Sequence, residues 1–411
     1  MTTINDHIRT CWDTALAMLQ PTPAQLEHGL ELHRSSVVCD TYGFAPRAAL
    51  DGDAVRALIE SGASAAEVAD LTEDASMTRW ATVPAETAEF HAAFEQSGVT
   101  CIFQNCGEEG QAPLRLLKRL ARFNFACEFA PKTCSKAITP ADIVRAHEQG
   151  RHCLYFTGNG VPLTQDWISP EEELRYIRVF FQLGIRMMHL TYNRRNMIGD
   201  GCAEPANAGL SDFGRLVVAE MNRQGVIVDC AHSGWQTSLE AAQLSQRPMV
   251  ASHSACAALQ QHHRGKPDEV IRALCDTGGY IGICAIPAFL GGKGTITDLL
   301  DHIDHVARNF GPEHVTIGTD TAYTSANMAA EYAKVPAQGA QRKRWENFWW
   351  VNDPVSQPEW NQPHQLQSLA WTNWPLFTVG LVQRGYSDED IQKIIGGNML
   401  RVAKVALAGI R

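Results

Sequence analysis

Three polar residues in the second half of the chain are of the types used in metal-assisted or acid–base chemistry. His232, His253 and Asp320 each end a short apolar run, in "VIVDCAH", "PMVASHS" and "VTIGTD". Imidazoles on neighbouring strands can bind one divalent ion, and a carboxylate opposite them can complete the ligand set or move a proton. We therefore predict that all three are catalytic and that His232 and His253 bind a metal. Each alone, in a chain with 15 histidines, would more simply be structural.

Polar residues that end other apolar runs are candidates for binding a substrate. Tyr42, Tyr192 and Asn193 offer neutral hydrogen-bonding groups, although such residues also close the rim of a sheet. Arg264, in "HHRGKPDEV", can bind a carboxylate through two parallel hydrogen bonds; the alternative is an exposed loop arginine. Cys106 would be a nucleophile only if its pKa were lowered, and no local motif supports this. Further polar residues end these runs, namely Asp40, Gln104, Asn105, Thr157 and Asn159.

Eight short apolar runs, most of them preceded by a helix-like stretch that ends near glycine, indicate how these residues are positioned. The runs are apolar on both faces, as strands of a parallel sheet are when helices cover them. In one intervening stretch, Ser211 is placed to cap a helix and Gly225 to end it. The runs span residues 36–41, 99–105, 151–158, 185–193, 226–232, 248–254, 279–287 and 315–320.

Eight strand–helix units predict a (β/α)₈ TIM barrel, whose catalytic groups lie at the carboxyl ends of the strands. The alternative is a doubly wound open sheet, but "CDTYGFAP" follows the first run where the phosphate-binding glycine fingerprint would be. Residues 42–97 and 321–370 are too long for ordinary barrel loops and predict insertions after strands 1 and 8. We expect one domain over residues 1–411, with a helical extension over residues 1–34.

The second insertion is rich in tryptophan, and two interpretations fit it. "RWENFWWVNDP" is followed by Trp360, Trp371 and Trp374. These side chains either form a cover over a small pocket or make a hydrophobic seam packed against the barrel or another subunit.

Composition limits the partners and the location of the protein. The net charge of -10 repels phosphate backbones, so we expect no nucleic acid partner. No apolar run approaches the roughly 18 residues of a membrane span, and the first forty residues do not resemble a signal peptide. We therefore expect a cytoplasmic protein that does not bind membranes. The 12 cysteines, many in apolar runs and none in a C-x-x-C pair, predict buried thiols and no structural zinc cluster.

Several segments resemble the membrane dipeptidase (renal dipeptidase) family of amidohydrolase-like TIM barrels. The resemblance covers most of residues 183–320 and 380–403, and it is carried by "LGIRMMHLTYN", "AGLSDFGRLVVAEMNRQGVIVDCAHSG", "RPMVASHSACAAL", "HHRGKPDEVIRALCDTGGYIGI", "HVTIGTDT" and "RGYSDEDIQKIIGGNMLRV". It implies hydrolysis of a dipeptide by a hydroxide that two zinc ions activate, and often a homodimer.

The resemblance also implies a role for individual residues. His232 and His253 match the two histidines that bind the second zinc, and Asp320 matches the aspartate that moves the proton. Arg264 matches the arginine that holds the substrate carboxylate. Tyr192 stands where the family has a histidine that helps to bind substrate.

The first half of the chain departs from this family at the metal ligands. Tyr42 and Phe44 stand where the family has a histidine and an aspartate, and Thr157 stands where it has a bridging glutamate. Neither a phenylalanine nor a neutral threonine can replace a bridging carboxylate, so we expect at most one metal ion, zinc by preference, and no binuclear centre.

Three functions remain open from the sequence. The first is a hydrolase with one metal ion that acts on a dipeptide or another small carboxylated amide. The second is a metal-independent lyase, isomerase or hydrolase that acts on a small carboxylated molecule. The third is a relative that binds a ligand without catalysis.

Overall fold

The wall of the fold is a ring of eight parallel strands, seen in a computed structural model that describes residues 5–107, 110–337 and 344–409. The strands follow one another in the order β1, β2, β4, β5, β6, β7, β9 and β10, while β3 pairs with β4 and β8 with β7. Their bounds are β1 Cys39–Gly43, β2 Cys101–Asn105, β3 Ser135–Ala137, β4 Cys153–Gly158, β5 Met187–His189, β6 Ile227–Asp229, β7 Val250–Cys256, β8 Gly265–Lys266, β9 Tyr280–Ile283 and β10 Val315–Ile317.

The first and last strands meet and nearly close the ring, which confirms the TIM-barrel prediction. The Asp320 N–H donates to the carbonyl of Tyr42 over 3.0 Å, and the Phe44 N–H donates to the carbonyl of Thr321 over 3.3 Å. The Asp40 carboxylate strengthens this junction, because it accepts from the Thr319 N–H (2.9 Å) and hydroxyl (2.6 Å).

Helices surround the ring and form both insertions. Ser211 caps α9, since its side chain accepts from the Gly214 N–H over 2.9 Å, and Gly225 ends α9 at a φ of 73°, as predicted. The helices are α1 Asp6–Leu19, α2 Pro23–Ser35, α3 Gly52–Glu60, α4 Ala65–Thr82, α5 Pro84–Ser97, α6 Pro113–Phe129, α7 Pro140–Glu148, α8 Pro170–Leu183, α9 Asp212–Gln224, α10 Trp235–Leu244, α11 Asp268–Asp276, α12 Pro287–Leu290, α13 Ile296–Phe310, α14 Met328–Tyr332, α15 Pro363–Ser368, α16 Trp374–Gln383, α17 Asp388–Gln392 and α18 Asn398–Leu407.

The predicted N-terminal extension consists of α1 and α2, and the first insertion contains α3, α4 and α5. Buried His33 joins α2 to two other elements, because its ring nitrogens lie 2.8 Å from the Thr378 hydroxyl and 2.8 Å from the Ser97 carbonyl. Arg122 of α6 binds α4 through ion pairs with Asp70 and Glu73 at 2.8 and 2.6 Å. Both segments are therefore fixed to the barrel by polar as well as apolar contacts.

The interior of the ring changes from apolar to polar along the strands. Met187 and Ile227 belong to the apolar cluster at the amino ends. Residues two positions further along a strand face the same side, so His189 and Asp229 lie above them, fully buried. The barrel thus directs an imidazole and a carboxylate toward its mouth.

Two irregularities turn further side chains toward this mouth. The pairing register shifts in β7 between Ala251 and Ser254, and in β1 between Asp40 and Gly43. Shifts of this kind redirect side chains near active sites. Gly282 of β9 lies beside the β7 shift, where a Cβ atom would be only 2.0 Å from the Ser252 carbonyl oxygen. The β7 irregularity therefore requires a residue without a side chain at position 282.

Two predictions from composition can be compared with the structure. All 12 cysteines are free, and only Cys275 is not fully buried. This confirms the expectation of buried thiols. Within the described residues, no helix combines the length and apolar character that crossing a bilayer requires.

Candidate active site

The structure places the two predicted histidines in direct contact at the mouth of the barrel. His253 lies within β7, and His232 follows β6 by three residues. Their Nε2 atoms are 2.9 Å apart. Asp320 follows β10 by three residues and has a left-handed backbone with a φ of 57°. Burial raises the pKa of Asp320 to about 6, against the opposing charges of Arg264, His189 and Arg47.

Two further residues of this site, His189 and Asp229, were not among the predicted site residues. The Nε2 atom of His189 lies 2.7 Å from Oδ2 of Asp229, and both side chains are fully buried. His189, Asp229 and His253 each direct one potential ligand atom to a common point, with these atoms within 4.8 Å of one another. No polarity pattern in the sequence marks them; in the structure they face the interior because Met187 and Ile227, two residues earlier, do so.

The outer nitrogens of all three histidines are occupied by neighbouring polar groups. Nδ1 of His189 lies 2.6 Å from the amide oxygen of Asn159, and Nδ1 of His232 lies 2.7 Å from that of Asn193. Nδ1 of His253 lies 2.9 Å from the Ser252 hydroxyl. An amide oxygen only accepts, so the contact with Asn193 places the proton of neutral His232 on Nδ1 and leaves its Nε2 as a lone pair. The contact with Asn159 likewise places a proton on Nδ1 of His189, whose Nε2 faces the Asp229 carboxylate. This arrangement is typical of metal-binding histidines.

Electrostatics keep the site in a form that can bind a cation. Burial lowers the pKa values of His232 and His253 well below the usual range, and the charge of Arg264 lowers them further. Burial alone would raise the pKa of Asp229, but His189 and hydrogen bonds from Ser252 outweigh it, so this pKa is lowered. Neutral imidazoles and an ionised carboxylate are the forms that bind metals.

Nε2 of His189 and Oδ2 of Asp229 form a buried ion pair at 2.7 Å, and neither atom has another hydrogen-bond partner within the described residues. The other oxygen of Asp229, Oδ1, accepts from the N–H groups of Ala231 and Ser252 at 2.9 and 3.0 Å. A bound cation would take the place of the proton between His189 and Asp229.

Two tyrosines predicted to bind substrate pack against the histidine rings. Tyr42 stacks on His253 with 3.8 Å between ring centres, and Tyr192 stacks on His232 with 4.0 Å. Burial, followed by the charge of Asp320, raises the pKa of Tyr42 well above its usual value, so its phenol stays protonated. Asn193 orients His232 through its amide oxygen, and its contact with a substrate stays a prediction.

Arg264 is fully buried, so the alternative of an exposed loop arginine is wrong. One terminal nitrogen donates to the Ala231 carbonyl, and the other donates to the His253 carbonyl over 3.0 Å. The guanidinium also lies over the Phe289 ring at 5.4 Å. Arg264 thus connects the ends of β6 and β7, which carry the histidines. Its contact with a substrate carboxylate stays a prediction.

The positions at which the chain departs from the family supply no carboxylate. The Thr157 hydroxyl donates to the Gln104 carbonyl over 3.1 Å, and the Phe44 ring lines a cavity. The carboxylate of Asp40, which is buried in β1, accepts hydrogen bonds from the Thr319 N–H and, over 3.0 Å, from the Trp371 indole. Burial raises the pKa of the Cys106 thiol well above its usual value, which argues against a nucleophilic role.

The tryptophan-rich insertion packs over one side of the mouth. Trp349 stacks on Phe289 with 5.7 Å between ring centres, and the Phe348 ring lies edge-on to Tyr192 at 5.5 Å. The Trp350 indole donates to the Ala203 carbonyl over 2.8 Å. Buried Asp353 anchors the segment, with its carboxylate 3.3 Å from His262. Both interpretations therefore hold in part for the described residues, which do not include the side chain of Trp345.

Comparison with known proteins places these features in a family context. Residues 53–336 match the membrane dipeptidase family, peptidase family M19. The chain is 31% identical over 229 residues to dipeptidase verJ of Clonostachys rogersoniana, which is 55% of this chain and 50% of that protein. It is 29% identical over 234 residues to dipeptidase tcpJ of Claviceps purpurea, which is 56% of this chain and 46% of that protein. The matches thus span about half the length of these curated relatives.

Solved structures share the fold over nearly the whole chain. An amidohydrolase from Pseudomonas aeruginosa superposes with a TM-score of 0.66 at 23% identity, covering 92% of this chain and 98% of that one. The probable dipeptidase PvdM from Pseudomonas aeruginosa superposes with a TM-score of 0.63 at 18% identity, covering 94% of this chain and 99% of that one. A metallopeptidase from Rhodobacter sphaeroides was solved with a phosphinate mimic of the dipeptide L-Ala-D-Ala. It superposes with a TM-score of 0.62 at 16% identity, covering 90% of this chain and 99% of that one.

Proposed function

Because the chain belongs to the membrane dipeptidase family, peptidase family M19, we propose that it hydrolyses a dipeptide or another small carboxylated amide with one divalent metal ion. The observation that carries this proposal is that His189, Asp229 and His253 each offer a buried ligand atom, and that these atoms lie within 4.8 Å of one another. His232 is the fourth candidate ligand, since its Nε2 lies 2.9 Å from that of His253.

The donor set fits zinc. Two or three imidazoles with one carboxylate form a usual catalytic zinc site, which leaves a position for water or substrate. When bound, zinc acts as a Lewis acid on a carbonyl oxygen and lowers the pKa of water. The residues at the family's other metal positions, Tyr42, Phe44 and Thr157, argue for a mononuclear rather than a binuclear centre.

The chain's own residues have separate roles in this proposal. The Asp320 carboxylate accepts a proton from the attacking water and donates it to the nitrogen of the leaving amine. Asn159, Asn193 and Ser252 hold the imidazoles in the orientation that presents Nε2. Tyr42 and Tyr192 exclude water from the outer faces of His253 and His232.

Metal analysis combined with hydrolysis assays tests the proposal. Protein purified without chelators should contain about one equivalent of zinc and release amino acids from a panel of dipeptides with L and D residues at the carboxyl end. His189→Ala and Asp229→Asn should each reduce zinc content and hydrolysis at least about tenfold. His28→Ala is the matched control, because His28 lies on the surface and pairs with Asp388. Full zinc content in the His189 variant would contradict the proposed ligand set.

A metal-independent enzyme is the second candidate, and one observation favours it. The 2.9 Å between the Nε2 atoms of His232 and His253 would also suit a single proton shared by the two rings. In that case, metal-free protein would retain its turnover after dialysis against a chelator, and Asp320→Asn would abolish it. Loss of turnover on chelation, with recovery on adding zinc, would exclude this candidate.

A further inference from the structure

A cavity of about 830 Å³ lies beside the candidate metal site, on the side of β1 and β2. The β1 segment contributes Phe44 and Arg47, and the first insertion contributes Trp80 from α4. Gln104 at the end of β2 and Arg119 of α6 complete the part nearest the barrel. Small-molecule sites are typically concave and mostly apolar, with a few fixed polar groups, and this cavity matches that description.

The charge of the cavity wall favours an anion. Glu73, which also lines the cavity, lies 3.5 Å from Arg119 and 2.6 Å from Arg122, so two arginines share this one carboxylate. Arg47 lies over the Phe44 ring at 5.1 Å and has no carboxylate within ion-pair distance in the described residues. The charge of Asp320 acts on Arg47 without forming an ion pair with it. The Arg47 guanidinium thus offers hydrogen-bond donors in the geometry that suits a carboxylate.

Arg47 is better placed than Arg264 to bind an incoming carboxylate. The terminal nitrogens of Arg264 are occupied by main-chain carbonyls, and its side chain has no exposed surface. The cavity that contains Arg47 is close to the metal site, since the Phe44 ring lies 6.1 Å from Tyr42, which stacks on His253 at 3.8 Å. A molecule of two or three residues' length could occupy both places.

We propose that this cavity is the specificity site for a substrate that carries both a carboxylate and an apolar group. Arg47 binds the carboxylate, and Phe44 and Trp80 contact the apolar group. The substrate class rests on the proposed function, although binding itself requires no hydrolysis. The chain thus has an aromatic and cationic pair, Phe44 and Arg47, at the end of β1, where its relatives are expected to have a carboxylate ligand.

Calorimetric titration with two probes that lack an amide bond tests this proposal. Phenylbutyrate carries a carboxylate and an apolar body, and phenylbutanol is its uncharged analogue. We expect phenylbutyrate to bind at least about tenfold more tightly, which is about 1.4 kcal/mol. Arg47→Met should abolish this preference, and Arg47→Lys should restore part of it. Phe44→Ala should weaken the binding of both probes.

The control variant is Arg56→Met, because Arg56 is a partly exposed residue of α3 that pairs with Asp53 of the same helix. It should bind both probes as the unaltered protein does. Equal affinity for the two probes, or an unchanged preference in Arg47→Met, would overturn the proposal. Absence of phenylbutyrate binding up to about 10 mM would overturn it too. Repeating the titrations after chelation separates this result from the proposed function, since a hydrolytically inactive protein should still show the preference.

Discussion

At the scale of single residues, the backbone fixes the position of the proposed proton carrier. Asp320 has a left-handed φ of 57°, which aspartate and asparagine tolerate better than most residues. Its N–H is held by the Tyr42 carbonyl over 3.0 Å. The carboxylate is therefore presented at a defined place in the mouth rather than on a mobile loop.

Asp320→Asn should keep this conformation but remove the proton acceptor. We expect kcat to fall by roughly 10²–10⁴-fold, the usual contribution of a general acid–base group, with an unchanged zinc content. Steady-state kinetics and elemental analysis on the same preparation measure both. A variant that retains more than about a tenth of kcat would exclude Asp320 as the proton carrier.

The sequence predicted part of the site at this scale. His232, His253 and Asp320 were recognisable because each follows an apolar run. His189 and Asp229 were missed because strands buried on both faces show no alternation of polarity, so the inward-facing residues are not apparent. The run over residues 185–193 also predicted a strand as far as Asn193, whereas β5 ends at His189.

At the scale of elements, Arg264 connects two strand ends that carry candidate ligands. Arg264→Met would leave the carbonyls of Ala231 and His253 buried without these donors, at a cost of about 1–3 kcal/mol each. We expect a lower urea midpoint and reduced zinc content. Arg308→Met is the control, because the Arg308 side chain is exposed and pairs with Asp304 from within the same helix. Unchanged stability with weakened substrate binding would instead favour the carboxylate-binding role that the family resemblance implies.

The tryptophan-rich insertion depends on one buried carboxylate for its attachment. Oδ1 of Asp353 lies 3.3 Å from Nε2 of His262 and accepts from the Val355 N–H over 3.1 Å. Asp353→Ala removes both contacts, so we expect amide hydrogen exchange over residues 346–360 to become about tenfold faster. Glu359→Ala, at an exposed position of the same segment, should leave exchange there unchanged. Equal exchange in both variants would show that apolar packing alone holds the insertion.

Element boundaries were less predictable than the number of strands. All eight wall strands matched apolar runs, but β3 and β8 were not predicted, because their residues, SKA and GK, form no apolar run. The shifts in β1 and β7 that turn Tyr42 and His253 toward the mouth depend on contacts between strands. Such contacts involve residues distant in sequence, and a local pattern does not reveal them.

At the scale of the whole molecule, Asp40 makes barrel stability depend on pH. Burial raises its pKa to about 7, although hydrogen bonds from Thr319 and Trp371 act against this. Between about pH 4 and 7 the folded protein therefore holds a proton at Asp40 that the unfolded chain releases, so the contribution of Asp40 to stability falls as pH rises through this range. Asp320, with its pKa raised to about 6, acts in the same direction.

Asp40→Asn should reduce this dependence without reversing it. The slope attributable to one such group is at most about 1.4 kcal/mol per pH unit. The lowered pKa values of His232 and His253 act in the opposite direction, so the quantity to compare is the free energy of unfolding of the unaltered protein minus that of the variant. Urea unfolding at several pH values should show this difference falling between about pH 4 and 7. A slope identical to that of the unaltered protein would mean that Asp40 does not titrate in this range.

Metal binding should stabilise the entire barrel, because the candidate ligands come from three adjacent strands that meet only in the folded chain. Zinc at about a thousand times its Kd would add roughly 4 kcal/mol to the free energy of unfolding. With an unfolding entropy of about 2 cal/mol/K per residue, this corresponds to a rise in Tm of about 5 °C for a chain of this length. Differential scanning calorimetry with and without zinc measures the rise, and Asp229→Asn should remove most of it.

Because His262, His263 and Asp353 form a second cluster of possible ligands, Asp353→Ala is the matched control. A rise that persists in Asp229→Asn but disappears in Asp353→Ala would place the stabilising ion at the insertion instead of the barrel mouth.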